Sequence, residues 1–227
     1  MEKYLVATIK PWNIEAYHRR KLDLPGEWHL VESKEKLADA VARLQPRYIF
    51  FPHWSWTVEN KILEAAECVC FHMTDVPFGR GGSPLQNLIA RGHKDTKLTA
   101  LRMAEELDTG PVYMKRDLSL SGSAGDIFER MADKIYGMIE ELVRGNLEPV
   151  PQTGEPTFFA RRTSDKSALP SQGGLKALYD HIRMLDADTY PRAFIDHGDF
   201  RLEFSKAEIG NDGTLSARVQ VAMQTRK

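Results

Sequence analysis

Over its first two thirds the chain alternates short apolar runs with amphipathic stretches of helical period, the pattern of parallel strands joined by helical crossovers. Tyr4 to Ile9 reads as a strand and Asn13 to Lys21 as a short helix behind Pro11. Trp28 to Ser33 is a second strand, with Ser33 placed to cap a helix over Lys34 to Leu44. Tyr48 to Phe51 is a third strand stopped by Pro52, and Val58 to Ala66 has a helical pattern. Cys68 to Phe71 is wholly apolar, which suits a strand buried on both faces. A glycine- and proline-rich loop, Pro77 to Pro84, then leads into a helix through Leu88 to Arg91. Leu98 to Ala104 and Pro111 to Leu118 are extended, broken by Leu-Asp-Thr-Gly. Ser123 to Val143 is a long helix whose stripe of Ile127, Met131, Ile135, Met138, Ile139 and Leu142 reads as core.

Between Gly145 and Pro156 the composition turns to a proline- and glycine-rich linker. Beyond it lie one helix, roughly Gly174 to Met184, and strands at Phe200 to Ala207 and Leu215 to Ala222. The expected fold is α/β: a Rossmann-like, mostly parallel sheet with helices on both faces over residues 1–150. Residues 151–227 form a linker and a small C-terminal α+β subdomain, too small to be stable by itself. A formal net charge of −1 supplies no global field toward nucleic acid or anionic membrane. No apolar run approaches a membrane span, and the N-terminus carries charge from the start, so a cytoplasmic location is expected. Cys68 and Cys70 share one face of a strand and diverge too far for an ordinary disulfide, so two buried thiols are expected. With only His72 nearby, they lack a spaced second ligand pair, and no metal is expected.

Chemistry concentrates at Phe71 to Gln86, FHMTDVPFGRGGSPLQ, at the carboxyl end of the buried strand, where open parallel sheets place their ligands. Glycines at 79, 81 and 82 allow a backbone to approach a substrate closely, or serve only a tight turn. Glu106 to Gly110 holds Asp108 beside a strand-breaking Thr-Gly. As a turn former it would be unremarked; beside the earlier loop it would orient or charge His72.

Together these stretches resemble the folate-dependent formyltransferases. His72, Pro77, Arg80, Gly81, Pro84 and Gln86 fall in register with that family's histidine and Arg-Gly-x-x-Pro-x-Gln pattern, and Leu107 to Gly110 with its Leu-Asp-Thr-Gly. The family's asparagine two residues before the histidine is Cys70 here, and its role is not carried over, because a thiol is a weak donor. The resemblance implies formyl transfer from 10-formyltetrahydrofolate to a primary amine, with His72 and Asp108 as catalytic residues. Phe51, Pro52, His53 and Trp54, with Arg80 and Gly81, would contact the folate, the aromatic loop embracing its pterin. Gly79, Gly82, Ser83 and Gln86, with Arg161 and Arg162, would contact the acceptor; the two arginines would hold a pyrophosphate, or else form a solvated pair on the linker. Thr157 to Ser167 and Ile182 to Phe194 resemble the tail of sugar nucleotide N-formyltransferases. The first expectation for the acceptor is therefore a nucleotide-linked amino sugar, with small molecules as the partners, no nucleic acid, no membrane, and a homodimer as the base-rate assembly. One alternative is an amino acid carried on tRNA or on a carrier protein, since GRGGSPLQ also resembles the formylation domains of peptide synthetases. A non-catalytic nucleotide-binding module is the alternative of another class.

Overall fold

The computed structural model describes residues 1–145 and 147–224; Asn146 of the linker and the final three residues of the C-terminal stretch lie outside them. The chain forms two compact units that interleave in sequence. The first comprises residues 1–81, 96–118 and 128–158, and the second 82–95, 119–127 and 159–227.

The first unit is built on a sheet of six strands: β1 (Lys3–Ala7), β2 (Glu27–Val31), β3 (Tyr48–Phe51), β4 (Glu67–His72), β6 (Asp95–Arg102) and β7 (Val112–Ser119). They stand in the order β2-β1-β3-β4-β6-β7. The first four are mutually parallel, and β6 runs antiparallel to β4, pairing His72 with Thr99. The short β5 (Arg80–Gly81) and β8 (Phe158–Phe159) lie outside this sheet. α1 (Pro11–Arg20), α2 (Lys34–Leu44), α3 (Asn60–Ala65) and α5 (Ala124–Arg144) supply the helices, the first turn of α5 belonging to the second unit.

Strand alternation explains both faces of the sheet. Leu5, Ala7, Ile49, Phe51 and Cys68 point to one side and bury against Leu37, Val41 and Leu44 of α2 and Ile62 of α3. Tyr4, Val6, Phe50 and Val69 are as deeply buried on the other. α1 and α5 pack together through the stacked Trp12 and Phe128 rings, 4.8 Å apart, and the Tyr136 hydroxyl donates to Asn13 O at 3.0 Å. Ser33 caps α2 by accepting from Lys36 N. The mostly parallel α/β expectation therefore holds, and the antiparallel direction of β6 is the feature that sequence pattern could not give.

The second unit contains α4 (Pro84–Ala90), α6 (Leu175–Arg183) and an antiparallel sheet of β9 (Ala193–His197), β10 (Phe200–Ile209) and β11 (Leu215–Met223), in the order β11-β10-β9. Its middle strand pairs Phe204 with both Ala193 and Val219. Leu85, Leu88, Ile89, Ile182, Met184, Leu185 and Ala193 are among its buried apolar residues. Strand β9 is absent from the elements read in the sequence. Among the described residues no helix is long and apolar enough to cross a membrane.

Candidate active site

Strand β4 ends on His72, so its side chain follows Cys68 and Cys70 on the same sheet face, at the carboxyl end where crossover loops leave the sheet. The strand is followed by Met73 and Thr74, fixed when Thr99 Oγ1 donates to Thr74 O at 2.7 Å. The chain then turns back through Pro77 to Gly81 and wraps the imidazole. His72 Nε2 lies 2.8 Å from Gly79 O, and Thr74 Oγ1 donates to the same carbonyl at 3.3 Å. A carbonyl only accepts, so Nε2 carries a proton. The opposite ring nitrogen, Nδ1, lies 3.5 Å from Asp108 Oδ2, a charge contact rather than a hydrogen bond. The ring thus stands between two acceptors. Its neutral form turns a lone pair on Nδ1 toward the carboxylate, and its cation donates to both sides.

Asp108 reaches this position from the loop between β6 and β7, with a left-handed φ of 58° that aspartate tolerates better than most residues. Its Oδ2 accepts from Gly81 N at 2.9 Å. The same loop therefore holds both halves of the pair: Gly79 through its carbonyl on the histidine, Gly81 through its amide on the carboxylate. The side chains of His72 and Asp108 are 9% and 8% exposed, so their contact is shielded from water. Gly110, which ends the turn, could not be any other residue without distortion, because a Cβ there would sit 1.8 Å from Arg102 O.

Cys70, one turn of the pleat before His72, is half-buried, and burial followed by the nearby Asp108 charge pushes its thiol far above the ordinary range. It is a neutral S–H and a poor donor. Cys68 is fully buried, and its thiol is pushed up to about 12, chiefly by burial.

The aromatic loop after β3 divides sharply. Phe51 is 1% exposed and belongs to the core beneath α2 and α3; Pro52 is buried, and its carbonyl accepts from Asn13 Nδ2 at 3.2 Å. His53 is half-buried, its ring 4.8 Å from Phe128 and 5.4 Å from Trp12, and burial followed by the charge of Lys10 drives its pKa down to about 3. Trp54 packs edge-on against Phe51 and against Trp56, which is 39% exposed. Of the four residues expected to meet the folate here, Trp54 offers an accessible aromatic side chain, and Trp56 adds a second.

Arg80 places Nε and Nη2 at 3.2 and 2.8 Å from Gln152 Oε1, and Gln152 Nε2 donates to Asp108 O and Gly110 O, both at 2.8 Å. Thr157 Oγ1 accepts from Gly79 N at 2.7 Å, and Arg80 N donates to Thr157 O at 2.9 Å. Gln152 was not singled out in the sequence, because a glutamine in a linker of prolines and glycines carries no spacing that marks it, and Thr157 entered only as the first residue of the stretch Thr157 to Ser167.

The remaining expected residues belong to the second unit. Gly82 lets the Arg161 backbone approach: a Cβ there would lie 2.8 Å from Arg161 Cα. Ser83 Oγ accepts from Arg162 N at 3.0 Å. Gln86 is buried and spends its amide on Met184 O at 3.1 Å, a structural bond that leaves that group turned inward. Arg161 is exposed, whereas Arg162 is half-buried with Nη2 on Lys166 O, so the two guanidinium groups do not present themselves alike.

A solved structure titled methionyl-tRNA formyltransferase from Clostridium thermocellum superposes with a TM-score of 0.94, at 43% identity over 99% of this chain and 100% of that one. The chain belongs to the methionyl-tRNA formyltransferase-like family of formyltransferases. Residues 164–222 match the family model for the methionyl-tRNA formyltransferase C-terminal domain. The methionyl-tRNA formyltransferase of Bacillus thuringiensis is 28% identical over 192 residues, 80% of this chain and 60% of the relative. This formyltransferase chain therefore spans about 60% of the length of that relative. HypX from Aquifex aeolicus, in complex with tetrahydrofolic acid, shares the fold at 17% identity, covering 93% of this chain and 39% of that one, with a TM-score of 0.74. Sugar N-formyltransferases share the fold too, at identities of 14–16%.

Proposed function

We propose that this protein transfers the formyl group of 10-formyltetrahydrofolate to the α-amine of an amino acid carried on tRNA, methionine being the residue named in its relatives. The observation that carries the reading is the buried His72–Asp108 contact, held by Gly79 and Gly81, in a chain that matches a methionyl-tRNA formyltransferase over its whole length. The neutral amine attacks the formyl carbon, a C–N bond forms, and the carbonyl electrons pass to oxygen. An oxygen reaching His72 Nε2 competes with Gly79 O for its proton, which stabilises the developing charge. Asp108 sets the ring's proton arrangement and takes up the proton shed by the attacking nitrogen, directly or through water. Collapse of the adduct breaks the bond to the folate nitrogen, which leaves protonated. Trp54 and Trp56 provide apolar, aromatic surface suited to a flat pterin.

The identity of the full-length relative shifts the acceptor away from the nucleotide-linked amino sugar first expected. That sugar is the second reading, favoured by a net charge of −1. Purified protein should be given 10-formyltetrahydrofolate with either methionyl-tRNA or a nucleotide-linked 4-amino-4,6-dideoxysugar, and the formylated product separated and weighed by mass spectrometry. Formylated methionyl-tRNA is the expected product; formylation of the sugar alone would replace the acceptor, and formylation of neither would remove the reading.

A further inference from the structure

Gln152 lies in a segment with no regular secondary structure, yet its side-chain amide is fully spent on the two loops that build the candidate active site. Its Oε1 accepts twice from Arg80, and its Nε2 donates once to Asp108 O and once to Gly110 O. An amide has two acceptor lone pairs and two donor hydrogens, and all four are used. The bonds reach one loop through a guanidinium and the other through backbone carbonyls on either side of Thr109. Asp108 sits in a left-handed conformation, in a turn that Thr109 Oγ1 closes by donating to Glu106 O at 2.9 Å. Gln152 is the group that ties its backbone to Arg80, next to Gly81, whose amide binds the Asp108 carboxylate.

Resting on the formyl-transfer reading, we infer that Gln152 is a positioning residue: it cross-braces the Arg80 loop and the Asp108 turn and so fixes the Asp108 carboxylate against His72. The brace acts at the backbone of Asp108, so it sets where the carboxylate stands without touching it. An ångström of drift at such a contact is enough to lose a large part of a catalytic rate. A purely structural glutamine would lower stability and leave the chemistry intact once the protein is folded.

Two single variants and one double variant separate these roles. Gln152→Ala removes both halves of the brace; Gln152→Glu keeps an acceptor for Arg80 but places lone pairs against Asp108 O and Gly110 O; Gln152→Ala combined with Asp108→Ala removes the brace together with the carboxylate that it positions. Gln152→Ala and Gln152→Glu should each lower kcat at least about tenfold at saturating substrates, with KM for the acceptor changed less than about threefold. In an Asp108→Ala background the added Gln152→Ala should change kcat by less than about twofold, because no carboxylate remains to be positioned. Unchanged kcat in the single variants, or losses that multiply in the double one, would overturn the inference. A readout independent of turnover is the His72 ring, followed by nitrogen NMR across pH in the wild-type and Gln152→Glu proteins. A changed titration or tautomer balance of His72 supports the brace; superimposable curves in a folded variant refute it. Because the NMR test needs no substrate, a wild-type protein that formylates nothing would sink the functional reading without deciding the fate of the brace.

Discussion

At the scale of single residues, the roles divide by what each side chain can still offer. His72 and Asp108 face each other in a nearly dry contact, so His72→Ala and Asp108→Asn should each cut kcat by about a hundredfold or more. Because both side chains are under a tenth exposed, the alanine variant should also lower the melting temperature, so stability has to be measured beside turnover. Cys70 stands where the family resemblance places an asparagine, but its thiol is held neutral by burial and by Asp108. Cys70→Ala should therefore alter kcat less than about threefold, and the native protein should resist alkylation by iodoacetamide at neutral pH. Rapid labelling with loss of activity would show a reactive thiol instead. His53 gives a pH signature opposite to that of a histidine held in an ion pair. Its folded-state pKa of about 3 lies below the unfolded value, so its contribution is intact above about pH 6.5. As pH falls from there toward 3 the unfolded chain takes up a proton that the folded ring refuses, and stability declines by at most about 1.4 kcal/mol per pH unit. Urea unfolding at pH 7.5 and pH 5 should show a smaller acid loss for His53→Phe than for the wild type. The histidine, the aspartate and the glycines were legible because a motif spaces them. Gln152 was not, since its partners are a distant guanidinium and two backbone carbonyls that no local pattern announces.

At the scale of elements, the sequence was read well wherever periodicity and punctuation agree. The helix over Lys34–Leu44, with its Ser33 cap, and the strand Tyr48–Phe51 have the bounds that the pattern predicts. Strand β9 was missed although Gly198 and Asp199 form a two-residue hairpin link to β10, a signal that weighs more than the short run before it, which ends on Asp196 and His197. The reversal of β6 was invisible because side-chain alternation is the same for either strand direction. The turn after β6 is the element on which the site depends most tightly. Gly110→Ala would press a methyl into Arg102 O and should destabilise the protein by about 3 kcal/mol, the upper end of what overpacking costs, with kcat lowered in whatever remains folded. An unchanged urea midpoint would mean that the turn relaxes freely, and that Asp108 is not held by its own loop.

At the scale of the molecule, composition indicated the broad class, and the proposed acceptor rests on likeness along the full chain rather than on net charge. The way the two units share the chain has a further consequence, for inheritance and engineering. The path passes from one unit to the other after residues 81, 95, 118, 127 and 158. A single crossover between two related genes therefore cannot exchange one unit and leave the other whole: every such chimera would combine pieces of both parents within at least one core. Replacing the second unit whole takes three separate grafts, residues 82–95, 119–127 and 159–227. Chimeras with the Clostridium thermocellum relative should reflect this, the three-graft protein melting within about 5 °C of its parents and one joined once at residue 105 melting lower. Equal melting temperatures for the two designs would show that the cores tolerate mixed parentage. Acceptor preference in such a family would then evolve by substitution within the interleaved segments, since no single junction exchanges one unit and leaves the other whole.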